Sequence, residues 1–302
     1  MRYAHILMAV HEELWALRED KLHAILDFLH AQAAGEKFSA EQIEARINRQ
    51  TEREVARAEG NVAVLPMHGV IANRMSMFDD ISGGISSERF GRQFQAAVRD
   101  SSVKAIIIDA NTPGGAVSGT SELSAMIYNA RGTKPIICHV NATLASAGFW
   151  IGSAADEIVV TPTGMVGSVG ILAVVDDISG ALDKAGVRKQ VFKAGEYKGD
   201  GLPFSAMSEE AQARLQASVD KAYDLFVEDL ARNRGVTAEA VRENFGKGAM
   251  VDAADAQRLG MIDRIGTLEE TLQRFGVSQF GAVTQQSTSR TGLSRQRAAL
   301  DL

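Results

Sequence analysis

A hydroxyl set among small and aromatic side chains, directly after an apolar run, is a place where nucleophilic chemistry can sit. Ser146 in ATLASAGFW, Ala142 to Trp150, follows PIICHV, Pro135 to Val140, and precedes FWIGSAADE, which can begin a helix. Serine is a weak nucleophile on its own. It needs a base, a place for the oxyanion and exposure at the end of a strand. A helix starting just after Ser146 would point its dipole at a developing negative charge. The stretch alone fits two readings equally: a nucleophile, or a small residue at a close-packed strand-to-helix junction.

A second fragment bears on that choice. IIIDANTPGGAVSG, Ile106 to Gly119, reads as a buried strand followed by Pro113, Gly114 and Gly115 and then a helix. The glycine pair lets the backbone turn and aim N–H groups outward, and with the N–H of Ala147 it can form an oxyanion hole. A phosphate cradle is the rival, but GxxxxGK[ST] is absent.

The base discriminates between mechanisms. His5, His11, His23 and His30 lie in an N-terminal helical region, and His68 and His139 lie in apolar strands where a satisfied core histidine is the ordinary case. Lysine is the alternative where burial keeps it neutral. Lys198 stands in FKAGEYKGDG, a turn-rich segment after the expected strand RKQVFKAG. Taken singly, such a lysine reads as solvated surface.

These residues need elements to hold them. From Asn61 onward short β-branched runs alternate with helical patterns: NVAVLPMHGVIA, SSERFGRQFQAAVRD, VKAIIIDA, GTSELSAMIYNARG, PIICHV. That alternation predicts an α/β fold with βαβ crossovers and a largely parallel sheet covered on both faces. SEEAQARLQASVDKAYDLFVEDLARNRG predicts a long amphipathic helix with Leu215, Val219, Tyr223, Phe226 and Leu230 on one stripe and Gly235 ending it. VDAADAQRLGMIDRIG reads as a short helix and a closing strand. Residues 1–60 read as a helical N-terminal extension and linker, with a capping-box spacing at Ser39 to Gln42. Residues 61–275 form the core, and 276–302 a flexible polar tail with a short helical end.

Composition narrows the partners. The 302 residues are 45% hydrophobic and carry a net charge of −6, with no basic surplus to suggest nucleic acid. One cysteine, Cys138, allows no internal disulfide and fits a reducing, cytoplasmic setting. The N-terminal apolar run meets His11, Glu12 and Glu13 too early for a signal peptide, and Met165 to Val175 is too short to span a bilayer. No cofactor or metal is expected, since no HExxH or carboxylate cluster stands out.

NTPGG at Asn111 to Gly115, LASAGFWIGSAADEIVVTPTGMVGSVGI at Leu144 to Ile171, AGEYKGDG at Ala194 to Gly201 and GAMVDAADAQRLGMIDRIG at Gly248 to Gly266 together resemble the signal peptide peptidase A family of serine endopeptidases. The resemblance covers about residues 61 to 270 in the family's order. It implies the Clp protease/crotonase fold, a repeated β-β-α superhelix. It also implies a Ser/Lys dyad, in which Ser146 matches the nucleophile, Lys198 the general base and Ser168 a residue that orients the lysine. Gly114, Gly115 and Ala147 match the oxyanion segments, Ala147 standing where the family often has glycine.

Without an evident membrane anchor, and with a helical extension and a polar tail, the sequence is most similar to the phage capsid-maturation, or prohead, branch. That implies polypeptide substrates among capsid and scaffold proteins, a homo-oligomer, and a place in the host cytoplasm or procapsid. A housekeeping peptidase of the same family, a crotonase-like acyl-CoA enzyme and a non-catalytic assembly module are the other readings.

Overall fold

The computed structural model describes residues 13–33, 57–74 and 84–277. The capping-box residues Ser39 to Gln42 and nearly all of the polar tail lie outside them.

The apolar runs form the centre of a mixed α/β fold. Strands β1 (Trp15–Leu17), β2 (Arg57–Glu59), β3 (Val62–His68), β4 (Ile71–Ala72), β5 (Ile85–Ser86), β6 (Ala105–Thr112), β7 (Gly114–Ala116) and β8 (Ile136–Ala145) come first in chain order. β9 (Glu157–Val160), β10 (Met165–Gly167), β11 (Met250–Asp252) and β12 (Arg264–Ile265) complete the set described. The larger sheet runs β11-β10-β8-β6-β3-β2, with β9 joining β8 to β12. β3, β6, β8, β9 and β10 pair in parallel, and β2 and β11 close the two ends antiparallel. A smaller sheet runs β1-β7-β4-β5.

Strand alternation divides the core. Ile106 and Ile108 face one side, with Phe90, Phe94, Ile136, Cys138 and Trp150, while Ala105 and Ile107 face the other, with Val62, Val64, Ile137, Val159 and Leu272. Both faces of β6 are therefore covered, which is why its sequence is apolar without alternation. Helix α1 (Glu19–Ala33) belongs to the small sheet. Helices α2 (Ser87–Arg99), α3 (Thr120–Asn129), α4 (Ala147–Gly152) and α5 (Ser179–Lys184) lie between the strands in sequence.

The expected amphipathic helix is α6 (Glu209–Arg234). Ser208 caps it by accepting from the Ala211 N–H, and Gly235 ends it in the left-handed conformation. It is followed by α7 (Ala238–Asn244), α8 (Ala253–Arg258) and α9 (Leu268–Gln273). Cys138 is buried in β8, its Sγ 2.8 Å from the point a Cβ on Gly152 of α4 would take.

Two local expectations differ from the structure. The first turn expected of the N-terminal helical pattern is instead strand: Trp15–Leu17 pairs with β7, and helix begins only at Glu19. Pairing partners on both sides of these three residues override their helical spacing. RKQVFKAG forms no strand either. Residues 188–195 are exposed and pair with no strand, and Phe192 is 92% accessible.

Candidate active site

Ser146 sits where β8 turns into α4. Its backbone adopts φ 53° and ψ −116°, a strained conformation outside the helical and extended regions. Its N–H donates to the Gly167 carbonyl (2.7 Å), and its own carbonyl accepts from the Trp150 N–H (2.9 Å). Ser146 is wholly buried, and its Oγ has no hydrogen-bond partner.

The same strand pairing places Ser168. Gly167 of β10 lies beside Ala145 of β8, so Ser146 and Ser168 are the next residues on two adjacent strand ends. Ser168 also has positive φ (54°), and its N–H donates to the Ala249 carbonyl (2.9 Å).

The glycine strand β7 forms the facing wall. Gly114 has φ 103°, and a Cβ there would stand 2.9 Å from Ser146 Cβ and within overlap of the Ala16 carbonyl. Only glycine permits that approach. The Gly114 N–H donates to Thr112 Oγ1 (3.1 Å), while the Thr112 hydroxyl donates to the Gly69 carbonyl (2.6 Å). Thr112 therefore fixes the glycine turn against the β3–β4 turn, and its methyl fills the place of a Cβ on Gly148.

The N–H of Gly115 points the other way. The Arg18 N–H donates to the Pro113 carbonyl (3.0 Å) and the Val117 N–H to the Leu14 carbonyl (2.9 Å). By antiparallel alternation Gly115 and Ala16 are then the bonded pair between them. Ala147 opens α4, so its N–H has no intrahelical acceptor. Of the three residues expected to supply oxyanion donors, Ala147 has an N–H without an intrahelical acceptor, that of Gly115 pairs with Ala16 across the strand, and that of Gly114 is committed to Thr112.

Lys198 is not hydrogen-bonded to this group. It is exposed in a turn, its N–H donating to the Gly195 carbonyl (3.2 Å), and its amine makes no hydrogen bond or ion pair among the described residues. The two strand histidines make no hydrogen bond to Ser146 Oγ either. Both ring nitrogens of buried His139 lack partners, and burial pushes its pKa down, only partly opposed by Asp109. His68 faces Asp109 at 3.7 Å.

The helix that follows Ser146 is held firmly from outside. Trp150 stacks on Phe226 of α6 at 4.4 Å and 7°, and its Nε1 donates to Asp229 Oδ2 (2.7 Å), which also accepts from Ser121 (2.7 Å). Asn233 donates to Ser124 and Ser153 (3.0 and 2.9 Å), and Arg131 donates to the carbonyls of Ser153, Ala154, Ala155 and Asn233. Sequence reasoning missed Thr112, Asp229 and Arg131. Thr112 lies inside the quoted NTPGG, but nothing in its type distinguishes a turn-fixing hydroxyl from a strand filler.

Comparison with known proteins adds to this geometry. A family model described as Peptidase family S49 matches residues 129–278, which include Ser146, Ser168 and Lys198. The head-tail preconnector protein GP5 of Enterobacteria phage P21 is 29% identical over 211 residues, 70% of this chain and 42% of the relative. Capsid assembly protease C of Escherichia phage lambda is 28% identical over 204 residues, 68% of this chain and 46% of the relative. The putative signal peptide peptidase SppA of Enterococcus faecium is 29% identical over 212 residues, 70% of this chain and 61% of the relative. The chain thus spans less than two thirds of the length of each of these relatives.

Proposed function

Because the chain carries a domain of peptidase family S49 over residues 129–278, we propose that it is a serine endopeptidase in which Ser146 is the nucleophile and Lys198 the general base. The observation that carries this reading is the environment of Ser146: a strained turn presents an unpartnered hydroxyl to a glycine strand, beside the free N–H of Ala147.

In the proposed reaction neutral Lys198 takes the Ser146 proton as Oγ attacks the carbonyl carbon of a peptide bond. The N–H groups of Gly115 and Ala147 hold the resulting oxyanion. Collapse expels the amine, which takes the proton from the lysine, and leaves an ester on Ser146. Water, activated by the same lysine, then hydrolyses the ester. Ser168, on the strand end beside Ser146, is the residue proposed to orient the lysine.

Lys198 makes no hydrogen bond to Ser146 within the protomer, and the segment that carries it exposes apolar side chains: Phe192 at 92%, Tyr197 at 56% and Val191 at 49%. We therefore place the dyad between neighbouring subunits of a homo-oligomer. Covering that surface buries the lysine and favours the neutral amine. The parallel strands with helical crossovers support a Clp/crotonase-type core over about residues 61–275. The two phage relatives support capsid and scaffold proteins as substrates, cleaved in the host cytoplasm or the procapsid.

The test is intact-mass analysis after a serine-reactive fluorophosphonate on assembled protein. One adduct on the wild type, lost in both Ser146→Ala and Lys198→Ala, is the expected result. An adduct that survives Ser146→Ala would overturn the nucleophile assignment.

A further inference from the structure

The wall of the cleft over Ser146 is made of backbone. β7 offers one row of strand-pairing groups and Leu172 offers another, and a peptide laid between them is held on both edges. In this structure the peptide between them is Leu14–Arg18 of the same chain. On the β7 edge it makes the Arg18 to Pro113 and Val117 to Leu14 bonds, with Ala16 opposite Gly115. On the other edge Trp15 and Leu172 exchange two bonds, of 2.9 and 2.8 Å. Glu13 fastens the upstream end by accepting from the N–H and hydroxyl of Ser118 (3.3 and 2.8 Å).

Alternation along this strand sorts its side chains. Trp15 and Leu17 pack with Leu22, Leu26 and Leu29 of α1 and with Val70. Ala16 belongs instead to the main core and is wholly buried, with its carbonyl against Gly114 on the same side as Ser146 Cβ. By the pairing register, the N–H of Gly115 already points at that carbonyl. The carbonyl of a small residue thus lies on the same side of Gly114 as the serine.

We propose that Leu14–Arg18 is a substrate-mimicking strand that fills the chain's own peptide-binding cleft and shuts Ser146 off from other peptides until it is displaced. The proposal rests on the reading of Ser146 as the nucleophile. It further assigns the cleft an extended ligand running antiparallel to β7, with a small side chain opposite Gly115 and apolar ones on either side of it.

The test compares wild type with Ala16→Arg, whose side chain has no room at the buried position, and with Trp15→Ala, which loosens the strand without altering the cleft wall. Circular dichroism selects the variants that retain the fold. Two readouts are taken: the rate of fluorophosphonate labelling, and anisotropy of a fluorescent peptide reproducing residues 11–20. Both variants should label on the order of tenfold faster than wild type and bind the peptide, which in turn slows their labelling, whereas wild type should not bind it. Equal labelling of all three proteins overturns the proposal, as does peptide binding by wild type or by none of them. If no protein labels at all, the nucleophile reading fails, and anisotropy alone still decides occupancy: binding by the variants but not wild type upholds it.

Discussion

The strand-to-helix corner at Ser146 was legible from its neighbours, an apolar run followed by small residues, although the stretch alone did not separate a nucleophile from a close-packed junction. What could not be read was Thr112, whose importance comes from contacts 43 residues away in sequence. Replacing it with valine keeps the shape but leaves the Gly69 carbonyl and the Gly114 N–H unsatisfied. Thr112→Val should cost about 1–3 kcal/mol in urea unfolding and slow labelling of Ser146 as the glycine turn loosens. Ser146→Ala should lower peptide hydrolysis about a thousandfold or more in a steady-state assay, with the fold retained. His139 sets a pH dependence. Burial resists its protonation, so the unfolded chain takes up a proton that the folded chain refuses as pH falls below the ordinary value of 6.5. Stability should therefore decline with falling pH from that point downward. His139→Gln, which does not titrate, should flatten this limb in urea midpoints measured across pH.

At the scale of elements, the helix carrying the strained serine turn is only six residues long and could not hold itself. It is kept in place by α6, whose Asp229 receives both Trp150 and Ser121 and pairs with Arg232 at 2.8 Å. Asp229→Ala strands the Trp150 N–H in the core and should cost about 2–4 kcal/mol, read as a lowered urea midpoint. The long helix was plain from its apolar stripe and its caps, since both signals are local. β1 was hidden for the opposite reason. Its three residues continue the apolar spacing of α1, and their strand conformation comes from partners a hundred residues or more away, on Gly114–Ala116 and Leu172. RKQVFKAG shows the reverse case, a short stretch around Val191 and Phe192 that finds no strand partner among the described residues.

At the scale of the whole molecule, a site shared between neighbours has a signature that one protomer cannot produce. Mixing inactive Ser146→Ala with inactive Lys198→Ala protein, with exchange of subunits, should restore about a quarter of wild-type activity, because each intact site needs one good serine and one good lysine. No restoration in a mixture shown to exchange subunits would place the dyad within a single protomer. Cys138 offers a different kind of access to the assembled molecule. It is the chain's one thiol, enclosed between the sheet and the helix that follows Ser146, and burial pushes its pKa upward. A thiol reagent can reach it only while that helix is lifted from the sheet. The native chain therefore contains its own gauge of breathing at the Ser146 corner, one that can be timed without substrate or turnover.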